Sequence, residues 1–247
     1  MIETEHRIIK KNFSFDEDLE DINVNDFEST KIRPQLPIVW HKAKDFNVFD
    51  PEGNKWIDMT SGIFAANAGH SNPAINQAIK DQLDSDLVFS FLYKTEIREK
   101  LSKKLLDISP DHFEKVVLLN TGTEATDIAY KTIKMWAERE NRKYIVSFRG
   151  SYHGRALSCD LICGNEESSD WSRVKDDDVH FVDFPYKETD SFDPAILPPP
   201  EQIAAFFIET YQGWGAWMYP QNYMQDMFAY AKENNILTCF DEVQAGF

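Results

Sequence analysis

Four short segments of the sequence combine glycine, hydroxyl, aromatic and carboxylate residues that could bind an anion, contact a planar ring and hold a buried charge. They are Asn120-Thr121-Gly122-Thr123-Glu124-Ala125, Tyr152-His153-Gly154-Arg155, Glu209-Thr210-Tyr211-Gln212-Gly213 and Asp241-Glu242-Val243-Gln244. Each follows an apolar run that is typical of a buried strand. Because parallel strands end at the same edge of a sheet, we expect the segments to meet there.

The first segment predicts an anion site. Gly122 allows a tight turn, and the amides of the first turn of the following helix point outward, with the hydroxyls of Thr121 and Thr123 as further donors. A phosphate would suit this cradle. Thr123 as an ordinary N-cap of the helix explains the same residues equally well.

The remaining segments supply an aromatic pair and buried acids. Tyr152 and His153 could stack on a planar ring, although such residues more often pack in the core or lie on the surface. Asp241 ends a very apolar run and therefore needs a compensating partner. A protonated pyridine nitrogen is one such partner, while a metal ion or a helix cap are the alternatives. No GxxxxGK[ST] sequence precedes Asp241, which disfavours a nucleotide site.

The elements that position these segments follow from the apolar pattern. A small antiparallel element is predicted from strands at 38–40, 47–49 and 55–58, and helices are predicted at 72–83 and 95–108. Further strands are predicted at 116–119, 144–148, 180–182, 203–208 and 236–240, alternating with helical segments. This alternation predicts an α/β fold with a mainly parallel sheet covered by helices on both faces.

Charge and composition narrow the classes of partner. The sequence has 26 basic and 42 acidic residues, a formal net charge of −16, which disfavours nucleic acids and anionic membranes as partners. The N-terminus does not read as a signal peptide and no window approaches a spanning helix, so we expect a cytoplasmic protein. Cys159, Cys163 and Cys239 predict reduced, mostly buried thiols, with neither a disulfide framework nor a metal site.

Taken together, in this order and spacing, the four segments resemble the class III aminotransferases, the ω-aminotransferase group of pyridoxal-phosphate (PLP) enzymes of fold type I. The resemblance runs from about Trp40 to Phe247. It implies an N-terminal arm and part of a small domain at 1–58, and a PLP-binding large domain, incomplete at its C-terminus, at 59–247. It also implies a homodimer for the complete protein.

The resemblance assigns the cofactor-binding residues. Thr121, Gly122 and Thr123 would hold the cofactor phosphate. Tyr152 would stack on the pyridine ring, with His153 beside it.

The resemblance also assigns roles to the strand-end residues. Asp241 would pair with the pyridine nitrogen, and Gln244 would reach the phenolic oxygen of the ring. Glu209 would lie near cofactor and substrate, where the family often has a gating glutamate. Thr210 stands where the family often has proline, which puts the geometry of that loop in question.

The implied activity is transfer of an amino group from an amino donor to a keto acid or aldehyde. In the family the Schiff-base lysine lies beyond the segment that matches 241–247, and the nearest lysine here, Lys232, falls in a predicted helix. We therefore expect the 247 residues to represent a fragment that is inactive alone. The alternatives are an aminomutase or decarboxylase of the same fold, or a non-catalytic PLP-binding or partner chain.

Overall fold

The computed structural model describes residues 2–3, 8–9, 38–90, 92–164 and 174–246. The chain divides into two compact units, Met1–Leu101 and Ser102–Phe247. Most of the predicted N-terminal arm lies outside the described residues. The predicted domain boundary between residues 58 and 59 concerns the complete fold and stays a prediction.

The first unit contains a small antiparallel sheet, as the sequence predicts. Its strands are β1 (Ile2–Glu3), β2 (Ile8–Ile9), β3 (Lys42–Lys44), β4 (Asn47–Phe49) and β5 (Lys55–Ile57), in the order β1-β2-β5-β4-β3. The strand expected at 38–40 is wrong, because pairing with β4 begins only at Lys42. The β4–β5 turn is closed by Asp50, whose carboxylate accepts hydrogen bonds from the Asn54 amide and side chain at 2.7 Å each.

A left-handed turn follows this sheet. Within α1 (Ser61–Phe64) the φ angles of Ser61, Gly62, Ile63 and Phe64 lie between 52° and 64°. Such a conformation costs a residue other than glycine about 1–2 kcal/mol, so other contacts must hold it in place.

The carboxylate of Asp58 supplies those contacts. It accepts hydrogen bonds from the Thr60 amide at 2.9 Å, the Gly62 amide at 2.8 Å and His70 Nε2 at 2.7 Å. Burial raises the pKa of Asp58, but these bonds outweigh burial and lower the pKa to about 2. Helices α2 (Pro73–Asp84) and α3 (Glu96–Ile108) come next along the chain and confirm both predicted helices.

The second unit is built on a parallel four-stranded sheet. Its strands are β6 (Tyr144–Phe148), β7 (Val179–Val182), β8 (Ile203–Glu209) and β11 (Leu237–Asp241), in the order β11-β8-β6-β7. Along the chain, β8 is followed by a short antiparallel hairpin of β9 (Tyr211–Gln212) and β10 (Trp217–Met218), which precedes β11 and forms a separate two-stranded sheet. The strands predicted at 144–148, 180–182, 203–208 and 236–240 therefore form within one residue of their expected bounds.

Helices pack on both faces of this sheet, which confirms the predicted layers. They are α4 (Gly122–Arg139), α5 (Leu157–Ile162) and α6 (Gln221–Glu233). Met227 of α6 packs with Phe206 and Ile208 in one buried cluster, whereas α4 and α5 share the opposite cluster with Phe207. Burying each such large side chain stabilises the fold by about 1.5–3 kcal/mol.

The strand predicted at 116–119 is wrong. These residues form no strand, and Val117 and Leu119 are 68% and 41% exposed. An apolar run becomes a strand only where a neighbour accepts and donates its backbone hydrogen bonds. Within the described ranges no strand pairs with this run. Those same ranges contain no helix long and apolar enough to cross a membrane.

Candidate functional site

The candidate site lies at the carboxyl edge of the parallel sheet, where the four predicted segments converge. In the register of β8 and β11, Glu209 stands opposite Asp241, so the two carboxylates end neighbouring strands at the same level. Both are buried, at 6% and 8% exposure. The loop after β6 brings Tyr152 and His153 to the same edge.

Asp241 forms a buried pair with His153. Its Oδ2 lies 2.8 Å from His153 Nδ1, and its Oδ1 accepts a hydrogen bond from the Val243 amide at 3.1 Å. The imidazole packs edge-on against Phe207, with ring centroids 4.7 Å apart. His153 Nε2 is buried and finds no hydrogen-bond partner among the described residues. The site therefore contains a buried polar atom without a hydrogen-bond partner in the part of the chain that the structure describes.

Glu209 joins two loops of the site. Its Oε1 accepts a hydrogen bond from the Gly213 amide at 3.0 Å, and its Oε2 accepts one from the Tyr152 amide at 3.2 Å. Burial raises the pKa of Glu209, and the nearby charge of Asp241 adds to this effect. The hydrogen bonds and His153 oppose it without cancelling it. The sequence gives no signal of these two backbone contacts.

The N-terminus of α4 carries the predicted anion cradle. The N-cap is Thr121, whose hydroxyl accepts a hydrogen bond from the Glu124 amide at 3.1 Å. The Glu124 carboxylate accepts from the amides of Asn120 and Thr121 in return, which completes a capping box. Thr123 is thus not the cap, and its hydroxyl instead accepts from the Arg155 amide at 3.4 Å.

Two glycines allow the segments to approach closely. A Cβ on Gly122 would lie 2.8 Å from Val243 Cγ1, and a Cβ on Gly154 would lie 2.6 Å from Thr123 Oγ1. Gly154 also has a φ of 119°, a conformation that side chains rarely tolerate. The chain therefore uses glycine where three segments of the site meet.

The polar rim of the site also contains Arg155, for which the sequence alone indicates no role. Arg155 Nε donates to the Tyr152 hydroxyl at 3.2 Å, and Tyr152 itself is 37% exposed. Gln244 Nε2 donates to the Gly213 carbonyl at 3.2 Å. The signal that could have identified Arg155 is its place in the Tyr-His-Gly-Arg segment of a strongly acidic chain.

Two buried thiols support the loop of His153. The His153 amide donates to Cys163 Sγ at 3.0 Å, and Cys159 Sγ lies 3.0 Å from the Thr126 hydroxyl. Burial raises the pKa of the Cys163 thiol to about 12. These thiols are free and buried, as the sequence predicts.

Comparison with known proteins supports one family. The family model described as aminotransferase class-III matches residues 29–247. An ornithine aminotransferase of Brevibacillus brevis is 34% identical over 218 residues, covering 86% of this chain and 53% of that protein. One from an Exiguobacterium species is 33% identical, covering 85% and 52%. The chain spans about half the length of the curated relatives it matches.

Solved structures share the fold. A taurine:2-oxoglutarate aminotransferase from Bifidobacterium kashiwanohense, in complex with PLP and glutamate, matches with a TM-score of 0.78 and 24% identity, over 89% of this chain and 53% of that one. A PLP-bound amine transaminase from an uncultivated Pseudomonas species matches with a TM-score of 0.75 and 20% identity, over 96% and 57%.

Proposed function

The chain belongs to the class III aminotransferases, and from that membership we propose that it forms the cofactor-binding part of a PLP-dependent aminotransferase. The proposed activity moves an amino group from an amino donor to a keto acid or aldehyde. The observation that carries this proposal is the buried Asp241 carboxylate, held by His153 at the edge of the sheet.

The ring nitrogen of PLP fits the environment of Asp241. Within the part of the chain that the structure describes, the hydrogen-bond partners of this carboxylate are His153 and Val243, with neither Lys nor Arg among them. A buried carboxylate without a cationic partner is costly. A protonated pyridine nitrogen would offset that cost. When bound, the cofactor supplies a carbonyl for the incoming amino group and a ring that withdraws electrons.

The N-terminus of α4 fits the phosphate. The amides of Gly122 and Thr123 lie in the first helical turn, where no intrahelical acceptor exists. The Thr123 hydroxyl accepts from Arg155, so its own proton remains to be donated. Thr121 would contribute mainly by capping the helix that presents these donors.

The remaining site residues would orient the ring. Tyr152 would stack on the pyridine, with its backbone fixed by Glu209. Gln244 uses one amide proton on Gly213 and has a second for the phenolic oxygen. We propose that Glu209 acts mainly by holding the loops of Tyr152 and Gly213, because both of its oxygens already accept backbone hydrogen bonds.

Arg155 is the candidate group for a substrate carboxylate. It is exposed, and its Nε is bound to the Tyr152 hydroxyl, beside the proposed ring position. A guanidinium matches a carboxylate in a bidentate geometry. Amino acids and keto acids carry such a group. The names of the relatives suggest ornithine and taurine as donors to test, with 2-oxoglutarate as acceptor.

We also propose a homodimeric, cytoplasmic protein. The strongly acidic composition disfavours binding to nucleic acids and anionic membranes. In the first unit, α2 exposes Ile75, Ile79 and Leu83 along one face, an apolar surface that a second copy could cover. Sedimentation analysis of the purified protein tests the dimer, and a monomer at all concentrations contradicts it.

Nitrogen transfer tests the proposed reaction. No lysine of the 247 residues matches the lysine that the resemblance requires, so we expect these residues alone to bind PLP without transferring nitrogen. The protein to assay is the product of a reading frame that contains these residues together with such a lysine. That protein should move ¹⁵N from a labelled donor to 2-oxoglutarate.

Other products of that assay favour the alternatives. Release of carbon dioxide would favour a decarboxylase of the same fold, and migration of nitrogen within one substrate would favour an aminomutase. PLP binding without any reaction would favour a non-catalytic chain.

A further inference from the structure

We propose that Thr126 is a positioning residue that holds the loop 152–155 against the anion cradle of α4. The aromatic ring of Tyr152 is then kept in a fixed position relative to a phosphate bound at the cradle. The attachment of the loop is a property of this chain alone, whereas its consequence for the cofactor rests on the proposed function. Thr126 is only 5% exposed, so it acts on a ligand through the loop.

The hydroxyl of Thr126 donates outside its own helix. A threonine within a helix can donate to the carbonyl three or four residues earlier. Thr132 of α4 does so, with its hydroxyl 2.7 Å from the Ile128 carbonyl oxygen. The Thr126 hydroxyl lies 3.0 Å from the Thr123 carbonyl oxygen but 2.5 Å from that of His153. Because a hydroxyl has one proton, the shorter bond takes it, and that bond reaches a residue 27 positions later.

The thiol of Cys159 leaves this proton to His153. Cys159 Sγ lies 3.0 Å from Thr126 Oγ1 and 3.3 Å from the Thr123 carbonyl oxygen. Burial raises the pKa of the Cys159 thiol, so the thiol keeps its own proton to donate. Whichever of the two oxygens accepts that proton, the hydroxyl proton of Thr126 remains for the His153 carbonyl. Successive hydrogen bonds of this kind polarise and strengthen one another.

The loop depends on side-chain contacts, because residues 152–155 form no helix or strand. In the part of the chain that the structure describes, the Thr126 hydroxyl is the donor to the carbonyl of His153, a residue 2% exposed. Loss of that hydroxyl would leave a buried acceptor unpaired, which favours a shifted or hydrated loop. The other contacts are made by the amides of Tyr152, His153 and Arg155, which donate to the side chains of Glu209, Cys163 and Thr123 at 3.2, 3.0 and 3.4 Å, respectively.

The same face of α4 carries the cradle and the attachment point. Thr123 and Thr126 are three residues apart, so they are neighbours on the helix surface. Gly154 packs directly on this face, because a Cβ at that position would lie 2.6 Å from Thr123 Oγ1. Tyr152 precedes the bonded His153, so a short path of contacts joins its ring to the cradle. A ligand that spans both parts gains from this preorganisation, whereas a ligand of the cradle alone does not.

Hydrogen exchange tests the attachment in the 247-residue chain without any ligand. Thr126→Val replaces the hydroxyl with a methyl group, and Thr132→Val makes the same change where the hydroxyl bonds only within α4. We expect peptides covering 152–155 to exchange about tenfold faster in Thr126→Val, and at the original rate in Thr132→Val. Unchanged exchange of the loop in Thr126→Val overturns the proposal. Faster exchange in β6 and β8 as well would mean a general structural role and also overturns it.

Ligand binding tests the positioning role. The probe is pyridoxamine 5′-phosphate, which has no aldehyde to react with lysines, and inorganic phosphate is the control ligand without a ring. In equilibrium dialysis we expect Thr126→Val to weaken pyridoxamine phosphate binding about tenfold and to leave phosphate binding unchanged. Thr126→Ser keeps the hydroxyl and should bind both ligands as the unsubstituted chain does. Loss of stability alone would weaken the binding of both ligands alike.

The pattern across the two ligands decides the outcome. Equal weakening of both ligands, or of neither, overturns the positioning role. If the unsubstituted chain binds neither ligand, the proposed function is contradicted, while hydrogen exchange of the loop still decides its attachment. If circular dichroism shows that Thr126→Val does not fold, Thr126→Ala takes its place in both tests, because alanine also removes the hydroxyl and favours a helix more strongly than valine does.

Discussion

The two edges of the parallel sheet are built on opposite principles. At the amino edge, Arg142 donates to the carbonyls of Ile203 at 2.6 Å, Pro200 at 3.3 Å and Asn234 at 3.0 Å. Its guanidinium also lies over the Trp136 ring, 5.4 Å from the centroid. The Arg142 guanidinium thereby satisfies two carbonyls at the start of β8 and one at the end of α6, and each of these three carbonyls accepts a hydrogen bond from it.

The carboxyl edge instead buries two carboxylates and one polar atom that has no partner among the described residues. Asp241 and Glu209 are both buried there, and His153 Nε2 has no partner within the described ranges. Close packing at Gly122 leaves no room for a Cβ. Unpaired polar groups destabilise a fold, and glycine loses more conformational entropy on folding than other residues do. The hydrogen bonds at the amino edge therefore stabilise this unit. The groups at the carboxyl edge lower its stability but are available to bind a ligand.

Arg142→Ala should have the largest effect on stability. It removes three hydrogen bonds from a charged donor and leaves their carbonyls to water, so we expect the free energy of unfolding to fall by about 3 kcal/mol. Urea denaturation measures the change. Arg142→Lys is the control, because an ammonium keeps the charge but cannot span the three carbonyls as a planar fork does. If Arg142→Lys were as stable as the unsubstituted chain, the charge of the side chain and not its shape would account for the stabilisation.

The next largest expected effect is a dependence of stability on pH that arises at the carboxyl edge and not at the amino edge. The raised pKa of Glu209 means that the folded chain holds its proton at pH values where the unfolded chain, with a pKa near 4.5, has lost it. Its contribution to stability is therefore full below about pH 4.5 and is lost as pH rises through the folded-state pKa. The hydrogen bonds lost in Arg142→Ala go to backbone carbonyls, which do not titrate, so the effect of that substitution should not change over this pH range.

Glu209→Gln removes this titration and tests its origin. One backbone amide loses its acceptor, so we expect the free energy of unfolding at acid pH to fall by about 2 kcal/mol. The slope of stability against pH between pH 4.5 and neutral should become flatter than in the unsubstituted chain. If urea midpoints measured across that range keep the original slope, another group causes it.

Gly122→Ala should have a smaller effect, confined to the site. The added Cβ meets Val243 Cγ1 at 2.8 Å, and overpacking costs about 1–3 kcal/mol. Because Val243 is 65% exposed and its side chain can shift, we expect the low end of that range. Val243→Ala removes the opposing methyl groups, so the double variant should recover most of the loss. A double-mutant cycle of unfolding free energies measures this coupling. Additive effects of the two substitutions would show that the segments are not packed together in solution.

The sequence predicts the sheet better than it predicts the site contacts. The strands at 144–148 and 203–208 form almost as expected, because an apolar run bounded by polar residues encodes burial locally. The run at 116–119 fails because a strand also needs a partner. The contact of Glu209 with the Tyr152 amide joins residues 57 positions apart. No local pattern encodes such a contact, and the same holds for the carbonyls that Arg142 reaches.

Thr121→Ala should have the smallest effect on stability. It tests whether the N-cap of α4 stabilises the end of the helix that lies at the carboxyl edge. The Thr121 hydroxyl caps α4 through the Glu124 amide, and loss of such a cap costs about 1 kcal/mol. Thr121→Ser keeps the hydroxyl and should keep the stability. If the alanine variant also binds inorganic phosphate more weakly, the cap stabilises the helix end that presents the amides of Gly122 and Thr123. Unchanged phosphate binding would instead mean that packing against Val243 fixes those donors.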